Sequence, residues 1–323
     1  MNLRQMEYLL TIMETKNISR AAEKSYISQS GMSQQLSGIE RELGVSLFQR
    51  VNNELLPTRE GEIYLRYAKE ILGLHARAKK EMEDCRNPNK GRILIGVSPE
   101  RGNGMMQQIF PVFQKDYPDI HFHIVENHMS ALEQMVCSNQ VDISEAAYSP
   151  QIASSLSDRV KHMDLYTERI MLIMPCTLYY REKLEKLGAK EEGSQVDLAD
   201  FKEENFTVPT ETRVRLRSIV DWVFCKAGFM PKIVLETSNN LAALNFTAQG
   251  NCLSFIPQSY YYSVYGQTDR ICYRALKQDP YWIRSMIYRK ETKLTEAEKH
   301  LLRVIRDFHK PMAEKLDEAN RNN

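Results

Sequence analysis

Residues 17–50 read NISRAAEKSYISQSGMSQQLSGIERELGVSLFQR, and the order of small, turn-forming and polar residues in this stretch decides the fold. Asn17 or Ser19 is placed to N-cap a short helix. Its small pair Ala21-Ala22 permits a close helix crossing. The chain then turns through Tyr26-Ile27, and Ser28 is placed to cap a second helix. There Met32, Leu36, Ile39 and Leu43 recur at steps of four, three and four, which puts them on one buried stripe. The other face carries Gln29, Ser30, Ser33, Gln34 and Ser37, with Gln35 alongside, and Gly44 stands just past the end. Amides and hydroxyls on a face free of apolar bulk suit hydrogen bonds to base edges and phosphates. The stretch therefore reads as a helix-turn-helix that faces DNA, although the pattern alone also fits an αα-hairpin with a solvated face.

Flanking residues favour the first reading. Leu47 to Arg50 and Leu55 to Thr58 are short extended runs around the turn signal Asn52-Asn53, a β-hairpin wing. Upstream, Leu3, Met6, Leu9, Leu10 and Met13 form an apolar helical face. Residues 1–58 thus make a winged helix-turn-helix, with Arg50 on the wing as a candidate DNA-backbone contact. Charge adds little. Within residues 1–60, Arg4, Lys16, Arg20, Lys24, Arg41, Arg50 and Arg59 are balanced by seven glutamates, and the whole chain is formally +1. Non-specific affinity for nucleic acid should be modest, so binding would rest on a few placed cations and two-fold repetition.

Residues 59–88 form a linker segment. Tyr64, Ala68, Ile71, His75, Ala78 and Met82 alternate in steps of four and three, the seam of a two-stranded coiled coil. Asn87-Pro88-Asn89 ends a helix about 40 Å long at 1.5 Å per residue.

Beyond it the pattern is α/β. Arg92 to Ser98 is an apolar run of the central-strand kind, followed by a helix ending near Tyr117-Pro118 and a strand from Ile120 to Val125. A helix over 130–138 and a strand Val141-Asp142-Ile143 complete one half. A second half holds strand signals at 170–174, 206–209, 233–235 and 253–257 and a helix over 213–227. The expected fold class is α/β: two Rossmann-like lobes, the first from 89–163 and 269–323, the second from 164–268, with a cleft between them. At 323 residues, with 42% hydrophobic and 26% charged residues, the chain has room for several domains.

Other chemistry is sparse. His121-x-His123 offers two imidazoles without a third ligand nearby, so no metal is expected. Gly102-x-Gly104 is too short for a dinucleotide fingerprint. No nucleophile, base and acid arrangement stands out, and neither an enzyme nor a cofactor is expected. Cys85, Cys137, Cys176, Cys225, Cys252 and Cys272 include no Cys-x-x-Cys pair, which suggests structural thiols in a reduced cytoplasm. A redox sensor would need two of them brought together by folding. No signal peptide or membrane-length apolar run is present.

Several spaced motifs carry a family resemblance. Arg4-Gln5-Met6, Ala21-Ala22-Glu23, Ser28-Gln29-Ser30-Gly31-Met32-Ser33, Glu40-x-Glu42-Leu43-Gly44, Leu47-Phe48-x-Arg50 and Thr58-x-x-Gly61 resemble the amino-terminal signature of LysR-type transcriptional regulators. Ser30 replaces a usual proline, Ser25 and Pro57 usual leucines, and Gln34 a frequent arginine. Gln34 would favour adenine over a phosphate or guanine contact. Ile95-Gly96-Val97-Ser98, Phe113 with Tyr117-Pro118, Val141-Asp142, Gly228-Phe229-x-Pro231 and Ala248-x-Gly250 before Ile256-Pro257 are similar to that family's effector-binding domain. Gln107 and Ser144-Glu145 depart from it.

The resemblance implies a DNA-binding regulator of promoter or operator sites, with Ser28, Gln29, Ser30, Ser33, Gln34, Gln35 and Arg50 toward DNA. The linker helix would pair two chains, dimers would assemble to a homotetramer, and RNA polymerase would be a partner. A small-molecule effector would sit in the cleft against Ser98, Ser130 and Thr210, with Asn251 near the crossing. Ser130 would cap its helix, and Glu100 and Glu145 on the same rim would favour a cationic group. A regulator driven by redox state or without an effector, and a solute-binding α/β protein with a helical dimerisation module, are the alternatives.

Overall fold

The computed structural model describes residues 2–86, 90–152, 156–191, 194–210, 215–250, 252–262 and 269–321. Two compact units emerge, one made mainly of residues 1–87 and the other mainly of residues 88–323. The expected terminator at 87–89 lies outside the described residues.

The first unit runs α1 (Leu3–Thr15), α2 (Ile18–Lys24), α3 (Gln29–Leu43), β1 (Phe48–Val51), β2 (Glu54–Pro57) and α4 (Arg59–Arg86). Each short helix begins on a side-chain cap. Asn2 forms a reciprocal capping box with Gln5, Asn17 (not Ser19) caps α2, and Ser28 caps α3. Leu9, Ile12, Ala21, Ala22, Met32, Leu36, Ile39, Leu47 and Leu65 close one core. Ala21 and Ala22 are 0% and 2% exposed, small enough to let the helices cross closely. Leu43 departs from the expected stripe. It is the last helical residue and stays 37% exposed, so the stripe closes at Ile39.

Two sequence motifs acquire a physical reason here. Glu40 Oε1 accepts the Leu47 and Phe48 amides at 2.7 and 3.3 Å, which fixes the start of β1 to α3. Thr58 caps α4: its hydroxyl accepts the Gly61 amide at 2.9 Å and donates to the Ser46 carbonyl at 2.7 Å. Gly61 lies so close to the Leu47 carbonyl that a Cβ there would overlap it. Asn52 and Asn53, with φ of 48° and 67°, make the tight turn of the wing.

On α4 two of the six residues expected along the seam do not face outward. Tyr64 and Ala68 turn inward, Ala68 being buried and Tyr64 packing on the core through Leu65's neighbourhood. The exposed apolar residues are instead Ile63, Tyr67, Ile71, Leu74 and Met82. Leu65 must enter the winged-helix core, which rotates the helix and leaves Ile63 and Tyr67 outside. His75 and Ala78 are exposed, as a surface stripe would place them.

The second unit contains β3 (Gly91–Val97), α5 (Gly102–Asp116), β4 (Ile120–Glu126), α6 (Met129–Cys137), β5 (Ile143–Tyr148), β6 (Val160–Pro175), α7 (Leu178–Lys186), β7 (Gln195–Val196), β8 (Asn205–Val208), α8 (Arg215–Ala227), β9 (Lys232–Glu236), α9 (Asn240–Ala248), β10 (Ser254–Pro257), β11 (Ile271–Leu276), β12 (Tyr281–Arg289) and α10 (Glu296–Arg321). The sheet path is β4-β3-β5-β12-β6-β11-β7, with β10 also on β6. β6 is the pivot. Its first part, to Arg169, pairs with β12 in one lobe, and from Ile170 it pairs with β10 and β11 in the other. Parallel β8 and β9 join the second lobe through a bridge from Phe206 to Leu253.

Three expectations shift. β11 pairs with the second-lobe part of β6, so the return to the first lobe falls after Leu276 and not at 269. The strand expected at 141–143 begins at Ile143 and runs on to Tyr148, carrying Glu145 into the sheet. Finally, α7, α9 and β11 escaped the sequence reading. Alternation along β6 feeds two cores, with Leu172 and Met174 on one face and Met171 and Ile173 on the other. The first lobe closes on Ile93, Ile95, Phe113, Ile143, Met286, Leu301 and Ile305.

Candidate nucleic-acid interface and ligand cleft

In the first unit, Gln29, Ser30, Ser33, Gln34 and Ser37 are exposed along one side of α3. Ser28 Oγ accepts the Gly31 amide at 3.0 Å and lies 3.2 Å from Ser30 Oγ, so both hydroxyls sit at the helix N-terminus where backbone N–H groups point outward. Gln35 differs from the expectation. It is half-buried, and its Oε1 accepts Gln5 Nε2 at 3.0 Å, which ties α3 to α1. Arg50 is exposed on β1, opposite Leu55 across the wing. Sequence reasoning passed over Tyr26, which is 96% exposed in the turn between α2 and α3.

In the second unit, a cleft of about 190 Å³ lies between the lobes. The start of α5, α6, α8 and α9 each supplies lining residues: Arg101, Met129, Arg215 and Asn240 respectively. Four helices therefore bring their first residues to one space, and at α9 the N-terminus is already met by Glu100. Gly102 allows this at α5, because a Cβ there would overlap the Val97 side chain.

Beneath the cleft lies a network of buried charge. Glu168, fully buried on β6, accepts Trp282 Nε1 at 2.6 Å, Arg101 Nη1 at 3.3 Å and the Ser259 amide at 3.1 Å. Burial alone would raise its pKa, but Arg101, Arg284 and these hydrogen bonds bring it below the usual carboxylate range. Arg101 also donates to the Tyr166 hydroxyl at 2.5 Å and covers the Tyr260 ring at 5.3 Å. A second pair, Glu145 and Arg284, is 3.1 Å apart with each side chain 2% exposed. Burial opposes ionisation of Glu145, and Arg284 with two hydrogen bonds from Ser98 overcomes it, holding the carboxyl low. The register of β6 and β12 shifts between Arg284 and Ser285, a local irregularity of the kind that re-aims a side chain. Arg284 Nε has no hydrogen-bond partner among the described residues.

Ser98 is where the sequence placed it, on the cleft wall, but it is tied down. Its amide and hydroxyl both donate to Glu145 Oε2, at 2.8 and 2.7 Å. Its proton is thereby committed, and toward a ligand the hydroxyl accepts. Ser130 is the second residue of α6 and not its cap, and its neighbours His128 and Met129 line the cleft instead. Thr210 follows β8 and is half-buried, without lining the cleft. Asn251 lies outside the described residues.

The two rim carboxylates differ in their surroundings. Glu145 is neutralised by Arg284, and Glu100 is engaged by Asn240 and Tyr260. Arg101, Glu168 and Arg284 have no site role in the sequence reading. The available signal was a charged residue inside otherwise apolar strands, as at Trp282-Ile283-Arg284-Ser285-Met286. Behind the network a larger cavity of about 520 Å³ is walled by Tyr166, Tyr260, Arg284, His309 and Met312.

Two family models match this chain: the bacterial regulatory helix-turn-helix protein of the lysR family over residues 3–62, and the LysR substrate binding domain over residues 86–310. A probable RuBisCO transcriptional regulator from Trieres chinensis is 24% identical over 80% of this chain and 81% of that protein. The transcriptional dual regulator GltC from Bacillus subtilis (strain 168) is 25% identical over 80% and 81% of the two chains. Among solved structures, CbnR complexed with its target DNA superposes with a TM-score of 0.58 at 20% identity, covering 95% of this chain and 99% of that one. A full-length OxyR variant from Pseudomonas aeruginosa gives 0.60 at 19% identity, over 96% and 95%.

Proposed function

Because this chain belongs to the LysR family of DNA-binding transcriptional regulators, we propose that it reads a partly palindromic promoter site with the exposed amide and hydroxyl face of α3. Gln29, Ser33 and Gln34 address base edges, Ser28 and Ser30 at the helix N-terminus meet phosphate, and Arg50 on the wing holds the backbone. The effector is a small molecule with an acidic group. What carries this reading is the convergence of the α5, α6 and α8 N-termini on a cleft where Arg284 pairs with Glu145 and Glu100 is already engaged at the start of α9. The cleft is smaller than the roughly 300–1,000 Å³ of drug-sized sites, which suits a compact metabolite.

Ligand-dependent change in lobe arrangement would shift the population of DNA-binding geometries. The chain acts by binding and not by catalysis, needs no cofactor, and works in the cytoplasm with RNA polymerase as a partner. The exposed stripe of α4 pairs two chains, and dimers associate into a homotetramer. Among the described residues no helix is long and apolar enough to cross a membrane.

A gel shift on the DNA upstream of its own gene, with Gln29→Ala and Ser33→Ala, tests the first half. Each lost base contact should weaken binding by about 1–3 kcal/mol. Unchanged affinity in both variants would refute the α3 assignment. Thermal shift of the full chain against a panel of small carboxylates tests the second half, with Arg284→Met as control. A stabilising acid whose effect survives Arg284→Met undiminished would place the ligand elsewhere.

A further inference from the structure

Cys176 and Cys272 are 96 positions apart in sequence, and nothing in their spacing marks them. The fold brings them together. β6 ends at Pro175, opposite Ile271 of β11, and Cys272 stands opposite Met174. Immediately past the strand, the Cys176 amide donates to the Arg270 carbonyl at 2.7 Å. The two sulfurs are 2.7 Å apart, with the Cys272 thiol donating to Cys176 Sγ, and neither is in a disulfide. Cys176 is half-buried while Cys272 is 7% exposed. Arg181, exposed in the first turn of α7, places its positive charge near the Cys176 sulfur.

The structure assigns Cys176 as a site of oxidation by hydroperoxides, with Cys272 as the thiol that captures the product in an intramolecular disulfide. Cys176 accepts the Cys272 thiol and is the half-buried member of the pair, so it is the sulfur that a small oxidant reaches. Its attack on a peroxide oxygen breaks the O–O bond, releases one alcohol or water molecule, and leaves Cys176 as a sulfenic acid. The Cys272 sulfur then displaces the sulfenic oxygen, which leaves as water with the Cys272 proton. In sum, two thiols give up two electrons and two protons, and the peroxide is reduced. Burial first, and then the hydrogen bond to Cys176, push the Cys272 thiol up to about 12, so it keeps its proton and acts second. The bond would staple the end of β6 and the start of α7 to β11. Because β6 runs from there through Glu168 to the other lobe, the staple bears on the strand that carries the cleft network.

The test uses the full chain, reduced and then exposed to stoichiometric hydrogen peroxide, followed by denaturing alkylation and peptide mapping. The expected result is a linked pair of peptides containing Cys176 and Cys272, with two of the six thiols lost and restored by dithiothreitol. In Cys272→Ser, or Cys272→Ala should the first variant fail to fold, Cys176 should give a dimedone adduct and no link. In Cys176→Ser, Cys272 should stay fully alkylatable. A link between any other pair, or a Cys176 that remains unmodified in the treated wild-type chain, overturns the assignment.

Discussion

Glu100, at the end of the β3 loop, reaches across the cleft and accepts the Asn240 backbone amide at 2.8 Å, while Tyr260 donates to the same carboxylate at 2.5 Å. Asn240 is the first residue of α9, so a carboxylate from one lobe sits at the N-terminus of a helix in the other. An ion pair between Glu133 of α6 and Arg215 of α8 spans the lobes at a second point. Replacing Glu100 by alanine leaves the Tyr260 hydroxyl and the Asn240 amide without their acceptor. The expected loss in unfolding free energy is about 1–3 kcal/mol, read by denaturant titration. Small-angle scattering should show wider separation of the lobes. A Glu100→Ala chain as compact and as stable as wild type would remove the latch from the account.

Acid should weaken the protein in two steps. His309 packs on the Tyr166 ring at 5.5 Å and on Met105, and burial foremost, with Arg284 and Arg101 nearby, drives its pKa down from 6.5 to about 4, against Glu145 and Glu168. The unfolded chain then binds a proton that the folded chain refuses, so stability is full above pH 6.5 and falls as pH drops toward 4. The loss amounts to at most about 3 kcal/mol. Glu145 and Glu168, held below their ordinary value, add a second loss that sets in only below about pH 4.5. Melting temperatures of wild type and His309→Gln across this range separate the two: the variant should be flat down to about pH 5.

How much of this was legible in the sequence depends on the range of the interaction. The winged helix could be read almost whole, because its caps, turns and stripe are local: Asn17, Ser28, Gly44 and Asn52-Asn53 act within a few positions of themselves. Arg101 and Glu168 could not, since their pairing depends on β6 crossing beside the start of α5. The same holds for Cys176 and Cys272, which share an edge only through the antiparallel register of β6 and β11. Gln35 was misplaced because its partner, Gln5, lies on another helix. Tyr64 and Ala68 turn inward on α4 because heptad spacing does not say which neighbouring stripe a core will claim; Leu65 decides that.

Tyr26 holds a left-handed backbone, φ 56°, at the residue after the cap of α2, where its amide bonds the Glu23 carbonyl at 3.1 Å and Ile27 bonds Ala22 at 3.0 Å. Glycine or asparagine is the usual occupant of this position. An almost fully exposed tyrosine there brings strain and little packing in return. Tyr26→Asn should stabilise the winged helix by about 0.5–1 kcal/mol, measured by thermal melting. If the ring also touches DNA, the same variant binds operator more weakly while melting higher. A variant that melts lower would show the tyrosine to be held by packing instead.

The stripe on α4 makes the most direct claim about assembly. Ile71 and Leu74 are 43% and 56% exposed, with Ile63 and Tyr67 continuing upward in steps of four and exposed Ala78 and then Met82 continuing downward in steps of four. An apolar row of this length on a helix suits the proposed seam of a paired coiled coil. Ile71→Glu with Leu74→Glu places two carboxylates from each chain against their counterparts, and like charges across a seam oppose pairing. Because both residues already face outward, the variant should keep its fold and melt near the wild type. Sedimentation should then give a monomer where the wild type gives a dimer or larger, and operator affinity should fall with the loss of the second reading head. Glu substitution at Tyr64 and Ala68 makes the contrast: those positions face inward, so it should unfold the winged helix before it changes association. An unaltered oligomer in Ile71→Glu/Leu74→Glu would move the interface off α4.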